Sequence, residues 1–150
     1  MTELEWTDAV GQAELVRTGE VSPVELVDAA IARIEAVDPK VHAVVSERFE
    51  AARAEAAGPL PDGRFRGVPF LLKNLTVEIE GFPLDDGMRF LAEAGYVSST
   101  TDALGRRFLD AGLVTLGRTN ACELGLLPTT EPEVHGATHN PWAPGHTPGG

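Results

Sequence analysis

The run Val68-Pro69-Phe70-Leu71-Leu72 is apolar at every position, opens after Gly67 and is closed at once by Lys73. A stretch this short and uniform suits a strand buried on both faces. Leu113-Val114-Thr115-Leu116 is a second run of strand length. Between the two, Leu104, Phe108 and Ala111 fall at helical spacing, with Thr100 or Thr101 placed to cap the start and Gly112 to end the helix. Strand, helix, strand in that order implies a crossover unit, and so an α/β sheet with helices on its faces.

The residues before this unit read as mainly helical. Trp6, Val10, Ala13 and Val16 predict a helix over 6–17 that stops at Gly19. Ser22-Pro23-Val24-Glu25 is a capping box, in which the Ser22 oxygen accepts from the Glu25 amide, Glu25 reaches back, and Pro23 suits the first helical position. The helix it starts is expected to run to about Val37, burying Leu26, Ala30 (or Val27), Ile31 and Ile34, and to end at Asp38-Pro39. Val41–Val45 is a strand candidate and Glu47–Ala57 a helix candidate. Gly58-Pro59-Leu60-Pro61-Asp62-Gly63 is the clearest loop, and it divides a helical preface, 1–58, from the start of an α/β core, 64–150. From Leu127 onward turn formers dominate and periodicity vanishes; loops this long inside compact domains are usually functional.

With 150 residues the chain is long enough for one domain with a real core, burying roughly 70% of the surface of its unfolded form. A net charge of -11 repels phosphate backbones and anionic membranes, and the single adjacent basic pair, Arg106-Arg107, reads as a solvated helix face. Nucleic acid and membrane are therefore not expected partners. The opening MTELEWTDAV lacks a basic segment followed by an apolar one, and no stretch reaches the length of a membrane span. A single cysteine, Cys122, forms no internal disulfide, which together with the missing leader favours a reducing, cytoplasmic setting. The final HTPGG stops on turn residues, so the segment looks cut from a longer parent.

Lys73 is one of only two lysines, and its place after a buried strand would aim it into the crevice where open α/β sheets bind ligands. Desolvation there would favour the neutral amine and let it act as a base or proton relay; an ion pair at the strand end, or an ammonium snorkelling to water, is the plainer reading. His135 and His139, four residues apart, could join His146 and Cys122 around zinc, but Gly136, Pro141, Pro144 and Pro148 forbid a helix there and no HExxH pattern exists, so no metal is expected. Cys122 could be a thiol nucleophile at the first turn of a short helix, or an inert buried cysteine. Ser98-Ser99 lacks a GxSxG elbow and reads as part of a helix cap. Glu123 either accepts backbone amides or sits in solvent.

GVPFLLKN, LVTLGRTNACELG, TTEPEVHGATHNPW and HTPGG, in this order and spacing, resemble the N-terminal third of the amidase signature family over about Trp6–Gly150. The TTEPE and GATxNPW portions especially resemble amidases of the kind that open the cyclic dimer of 6-aminohexanoate, a nylon oligomer, and related linear amides. The resemblance implies an amidase signature fold, a mixed β-sheet core flanked by helices on both faces, with only its N-terminal part present. It implies a triad of lysine, a serine with a cis peptide bond, and a nucleophilic serine. Lys73 falls on the family's base; Gly149 and Gly150 match the two glycines of its Gly-Gly-Ser-Ser stretch and would border the substrate.

Both serines and the oxyanion hole would then lie past Gly150, and the 150-residue segment alone is expected to be inactive. Leu126 and Leu127 fall where family members line the acyl side of the pocket, or are ordinary core. Thr119, Asn120 and Glu123 match a turn that packs beneath the active site and are given a supporting role. No cofactor is implied; the expected partner is a small-molecule amide, and the parent could form a homodimer. Departures from the family pattern are Asn74 for aspartate, Arg118 for lysine, and Asp85-Asp86-Gly87-Met88 for a threonine and a Gly-Ser pair. Two alternatives stand beside the amidase: the glutaminase subunit of a tRNA-dependent amidotransferase, and a non-catalytic binding segment if the chain truly ends at residue 150.

Overall fold

The computed structural model describes residues 3–150; the first two residues of the 1–58 segment lie outside the described residues. After a 3-10 turn at Glu3–Trp6 come α1 (Ala9–Thr18), α2 (Pro23–Val41), β1 (Val44–Glu47) and α3 (Phe49–Ala57). They are followed by β2 (Pro69–Lys73), α4 (Arg89–Glu93), α5 (Ala103–Asp110) and β3 (Val114–Thr119). The three strands lie in the order β1-β3-β2, with β3 antiparallel to β1 and parallel to β2. This is the mixed sheet expected of the fold.

Helices cover both faces. On one, Val27 and Ile31 of α2 and Ala52 and Ala56 of α3 close over Val114 and Leu116 of β3, all buried. Burying a side chain such as Ile31 contributes about 1.5–3 kcal/mol. On the other face Leu72, Ile79 and Phe82 form a second cluster against Phe70, Val77, Phe108 and Leu109, the last two from α5. The preface is thus not separate from the core: β1 is an edge strand of the sheet, and α2 and α3 pack on one of its faces. The loop at 58–63 joins two parts of one packed unit, and the boundary expected there is not a boundary in packing.

A bulge lets β3 serve two neighbours. The β2 register slips between Phe70, opposite Thr115, and Leu71, opposite Gly117, so Leu116 is the extra residue. Gly117 passes so close to β1 that a Cβ there would stand 2.2 Å from the Ser46 carbonyl oxygen.

The Ser22 capping box forms as expected, with the Ser22 hydroxyl accepting from the Glu25 amide at 3.2 Å and the Ser22 amide donating to the Glu25 carboxylate at 2.8 Å. Several expected boundaries move. The α2 helix runs through Pro39 to Val41 even though the proline forfeits the bond its amide would have given to the preceding turn, and the Asp38 carboxylate ends the helix by accepting from the amides of Ala43 and Val44. The strand after it therefore begins at Val44, past His42 in the left-handed region. The first helix begins at Ala9, capped by Asp8, and Trp6 stays outside it, exposed. Asp102, and neither Thr100 nor Thr101, caps α5 by accepting from the Gly105 amide at 2.6 Å; Thr101 instead accepts from the Glu80 amide. Leu104 is exposed, and Leu109 takes the core position beside Phe108.

Among the described residues no helix is long and apolar enough to cross a membrane.

Candidate active site

The C-terminal ends of the two parallel strands lie side by side, Lys73 opposite Thr119. The Asn74 amide donates to the Thr119 carbonyl at 2.8 Å, carrying the ladder one residue past β2. Arg118, buried in β3, reaches under this edge: its guanidinium donates to the carbonyls of Lys73 at 3.1 Å and Val77 at 2.9 Å. Burial holds the Arg118 pKa below the usual arginine range, with the carboxylates of Asp86 and Asp85 pulling the other way.

The long segment after Gly125 has no regular structure, yet side chains fix it to the strand ends. Buried Asn120 donates to the Gly136 carbonyl and the Thr138 hydroxyl, both at 3.0 Å. Thr138 in turn donates to the His42 carbonyl at 2.7 Å, and its amide to the Thr130 carbonyl at 3.0 Å. Buried Thr130 donates to the Gly149 carbonyl, and so returns the end of the segment to the sheet. The result is a cavity of about 210 Å³ lined by Lys73, Thr119, Asn120, Thr130, Gly149 and Gly150, among others. Gly150 lies so near the Leu127-Pro128 backbone that a Cβ would stand 2.2 Å from the Leu127 carbonyl oxygen, and Gly149 has φ 108°.

The structure therefore gathers Lys73, Thr119, Asn120, Gly149 and Gly150, which the sequence reading named. It does not gather the rest. Leu126 and Leu127 are exposed and do not line this cavity, and Glu123 is exposed on a 3-10 turn, which decides its two readings in favour of solvent. Lys73 itself is exposed, so the residues of this chain do not supply the desolvation expected for it. Cys122 is buried and donates to the Leu127 carbonyl at 3.0 Å. His135 pairs with Asp85. Ser98 is buried, and Asp102 supplies the α5 cap.

Thr130, Thr138 and Arg118 hold the edge together although the sequence reading gave them no role. The threonines stand in the TTEPE and GAT strings, and only contacts distant in sequence reveal what they bind.

A family profile described as Amidase matches residues 25–150. The chain belongs to the amidase family. The 6-aminohexanoate-cyclic-dimer hydrolase of Paenarthrobacter ureafaciens is 46% identical to this chain over 145 residues, covering 97% of it and 29% of the relative. An acylamidase of Rhodococcus erythropolis is 34% identical, covering 100% of this chain and 33% of its own length. A solved structure of 6-aminohexanoate cyclic dimer hydrolase superposes with a TM-score of 0.91 at 45% identity, over 100% of this chain and 30% of that one. The chain thus spans about a third of the length of the relatives it matches.

Proposed function

We propose that this chain forms the N-terminal part of an amide hydrolase that acts on linear or cyclic carboxylic amides, with Lys73 as its base. The observation that carries the reading is the convergence of Lys73 with Gly149 and Gly150 around one cavity at the strand ends. Two serines complete the triad, and they are assigned to the part of such relatives that this chain does not span. The nucleophilic serine loses its proton through the second serine to the Lys73 amine, and its oxygen attacks the amide carbonyl. The lysine then returns a proton to the departing nitrogen, the amine leaves, and water hydrolyses the acyl-enzyme. Because these residues leave Lys73 exposed, its desolvation is assigned to the same remaining polypeptide. Leu126 and Leu127, exposed beside the Gly150 contact, offer apolar surface for an aliphatic acyl chain.

The test is a panel of substrates given to the full-length protein: the 6-aminohexanoate cyclic dimer, simple linear amides, and glutamine. Hydrolysis of the first two is expected, read as a new amino group on the opened cyclic dimer and as freed amine or ammonia from the linear amides. Ammonia release from glutamine alone would replace the reading with that of an amidotransferase subunit, and no release from any of them would favour a binding segment.

A further inference from the structure

The carboxylate of Asp85 is where three segments meet. Its Oδ1 accepts from Nδ2 of Asn74 at 2.7 Å and from the Gly87 amide at 2.9 Å. Nε2 of His135 lies 2.9 Å from its Oδ2 and 3.1 Å from its Oδ1. Asn74 accepts in turn from the Asp85 amide at 3.3 Å. Counting donors fixes the chemistry. A carboxylate that takes this many hydrogens is an acceptor only, so Nε2 of His135 carries hydrogen and donates. Asn74 Nδ2 and His135 Nε2, 3.5 Å apart, are then two donors sharing one acceptor. An aspartate at position 74 would set two carboxylates within bonding distance, so the geometry requires the amide.

Each partner sits on a different part of the site. Asn74, 1% exposed, directly follows Lys73 at the end of β2. Asp85 opens the turn whose next residue, Asp86, accepts from the Thr76 amide through its side chain and from the Leu124 amide through its carbonyl. His135 stands between Thr130 and Thr138, in the segment that returns to Gly149. The Asp85 and His135 side chains are each 17% exposed, so water does not compete freely for the bonds.

We propose that Asn74, Asp85 and His135 are positioning residues for the Lys73 chemistry: Asp85 clamps the backbone just past the lysine to the 128–150 segment, and so fixes where the amine stands relative to the diglycine. The inference rests on the reading of Lys73 as a base. Small displacements of a reacting group cost rate steeply, so the clamp acts on turnover more than on substrate binding.

The experiment uses the full-length protein and the variants Asn74→Asp, Asn74→Asp/Asp85→Asn, His135→Gln and His135→Leu. It measures kcat and KM on an amide the protein hydrolyses, and amide hydrogen exchange over residues 128–150. Asn74→Asp is expected to lower kcat at least tenfold with KM within threefold of wild type, and to speed exchange in that segment. The double variant again pairs one carboxylate with one amide and is expected to recover most of both losses. His135→Gln, whose amide nitrogen can donate in place of Nε2, is expected to keep more activity than His135→Leu; should Asn74→Asp fail to fold, this pair carries the comparison. Kcat within twofold of wild type in Asn74→Asp, a double variant no better than the single one, or equal losses in the two histidine variants would overturn the proposal. Failure of the base assignment reads out separately, as unchanged turnover in Lys73→Ala.

Discussion

The Arg118 guanidinium donates to the main-chain carbonyl of Lys73 at 3.1 Å and to that of Val77 at 2.9 Å, spanning the turn that leaves β2. One buried cation thus holds the backbone of the proposed base from below, while its side chain is left free to face the cavity. A buried guanidinium is costly to desolvate and persists where its donors find acceptors. Arg118→Met strands both carbonyls and is expected to cost about 3 kcal/mol, and Arg118→Lys, which reaches one carbonyl at a time, about half that. Thermal denaturation of the full-length protein checks the order; a methionine variant as stable as wild type would remove Arg118 from the account.

Acid stability depends in part on Asp102. Its carboxylate accepts from the amides of Gly105 at 2.6 Å and Glu78 at 3.0 Å, and these bonds hold its pKa below the ordinary value, the Gly105 bond most strongly. The folded pKa is the depressed one, so the contribution is complete above the unfolded value of about 3.9 and disappears as pH falls through the folded value. Asp102→Asn keeps a capping oxygen but loses the charge, so it should melt earlier than wild type at pH 7, by about 0.3–1 kcal/mol, and the gap should close on acidification below about pH 4. A gap that does not change with pH would contradict this.

The bulge makes Gly117 hard to replace. A methyl group there meets the Ser46 carbonyl oxygen at 2.2 Å, a backbone atom that cannot move without unpairing β1 from β3. Gly117→Ala is expected to cost about 2–3 kcal/mol and to speed hydrogen exchange at β1 before the rest of the sheet. Equal exchange in β1 and β2 would count against the bulge as the cause.

Local signals were legible where the physics is local. The apolar run ending at Lys73 announced β2, Ser22 with Glu25 announced α2, and the absence of periodicity after Leu127 announced the long irregular segment. Boundaries failed where a side chain held the chain end: Asp38 closes α2 past Pro39 by accepting from Ala43 and Val44, and Asp102 took a cap that either neighbouring threonine could have held. The site divides the same way. Lys73 could be named from its strand, but the pairing of Asp85 with His135, fifty positions apart, depends on a fold that brings the 85–87 turn against the 128–150 segment. Exposure of Leu126 and Leu127 was equally unreadable, because an apolar residue in a loop carries no periodicity to say which way it faces.

The most direct measurement is turnover of an amide by the full-length protein carrying Lys73→Ala. The residues of this chain pack little against Lys73, and a desolvated amine adds little to stability, so the variant is expected to fold and to melt close to wild type. Loss of the base should lower kcat by about a hundredfold to ten-thousandfold. A folded Lys73→Ala protein that hydrolyses the amide at the wild-type rate would contradict the account.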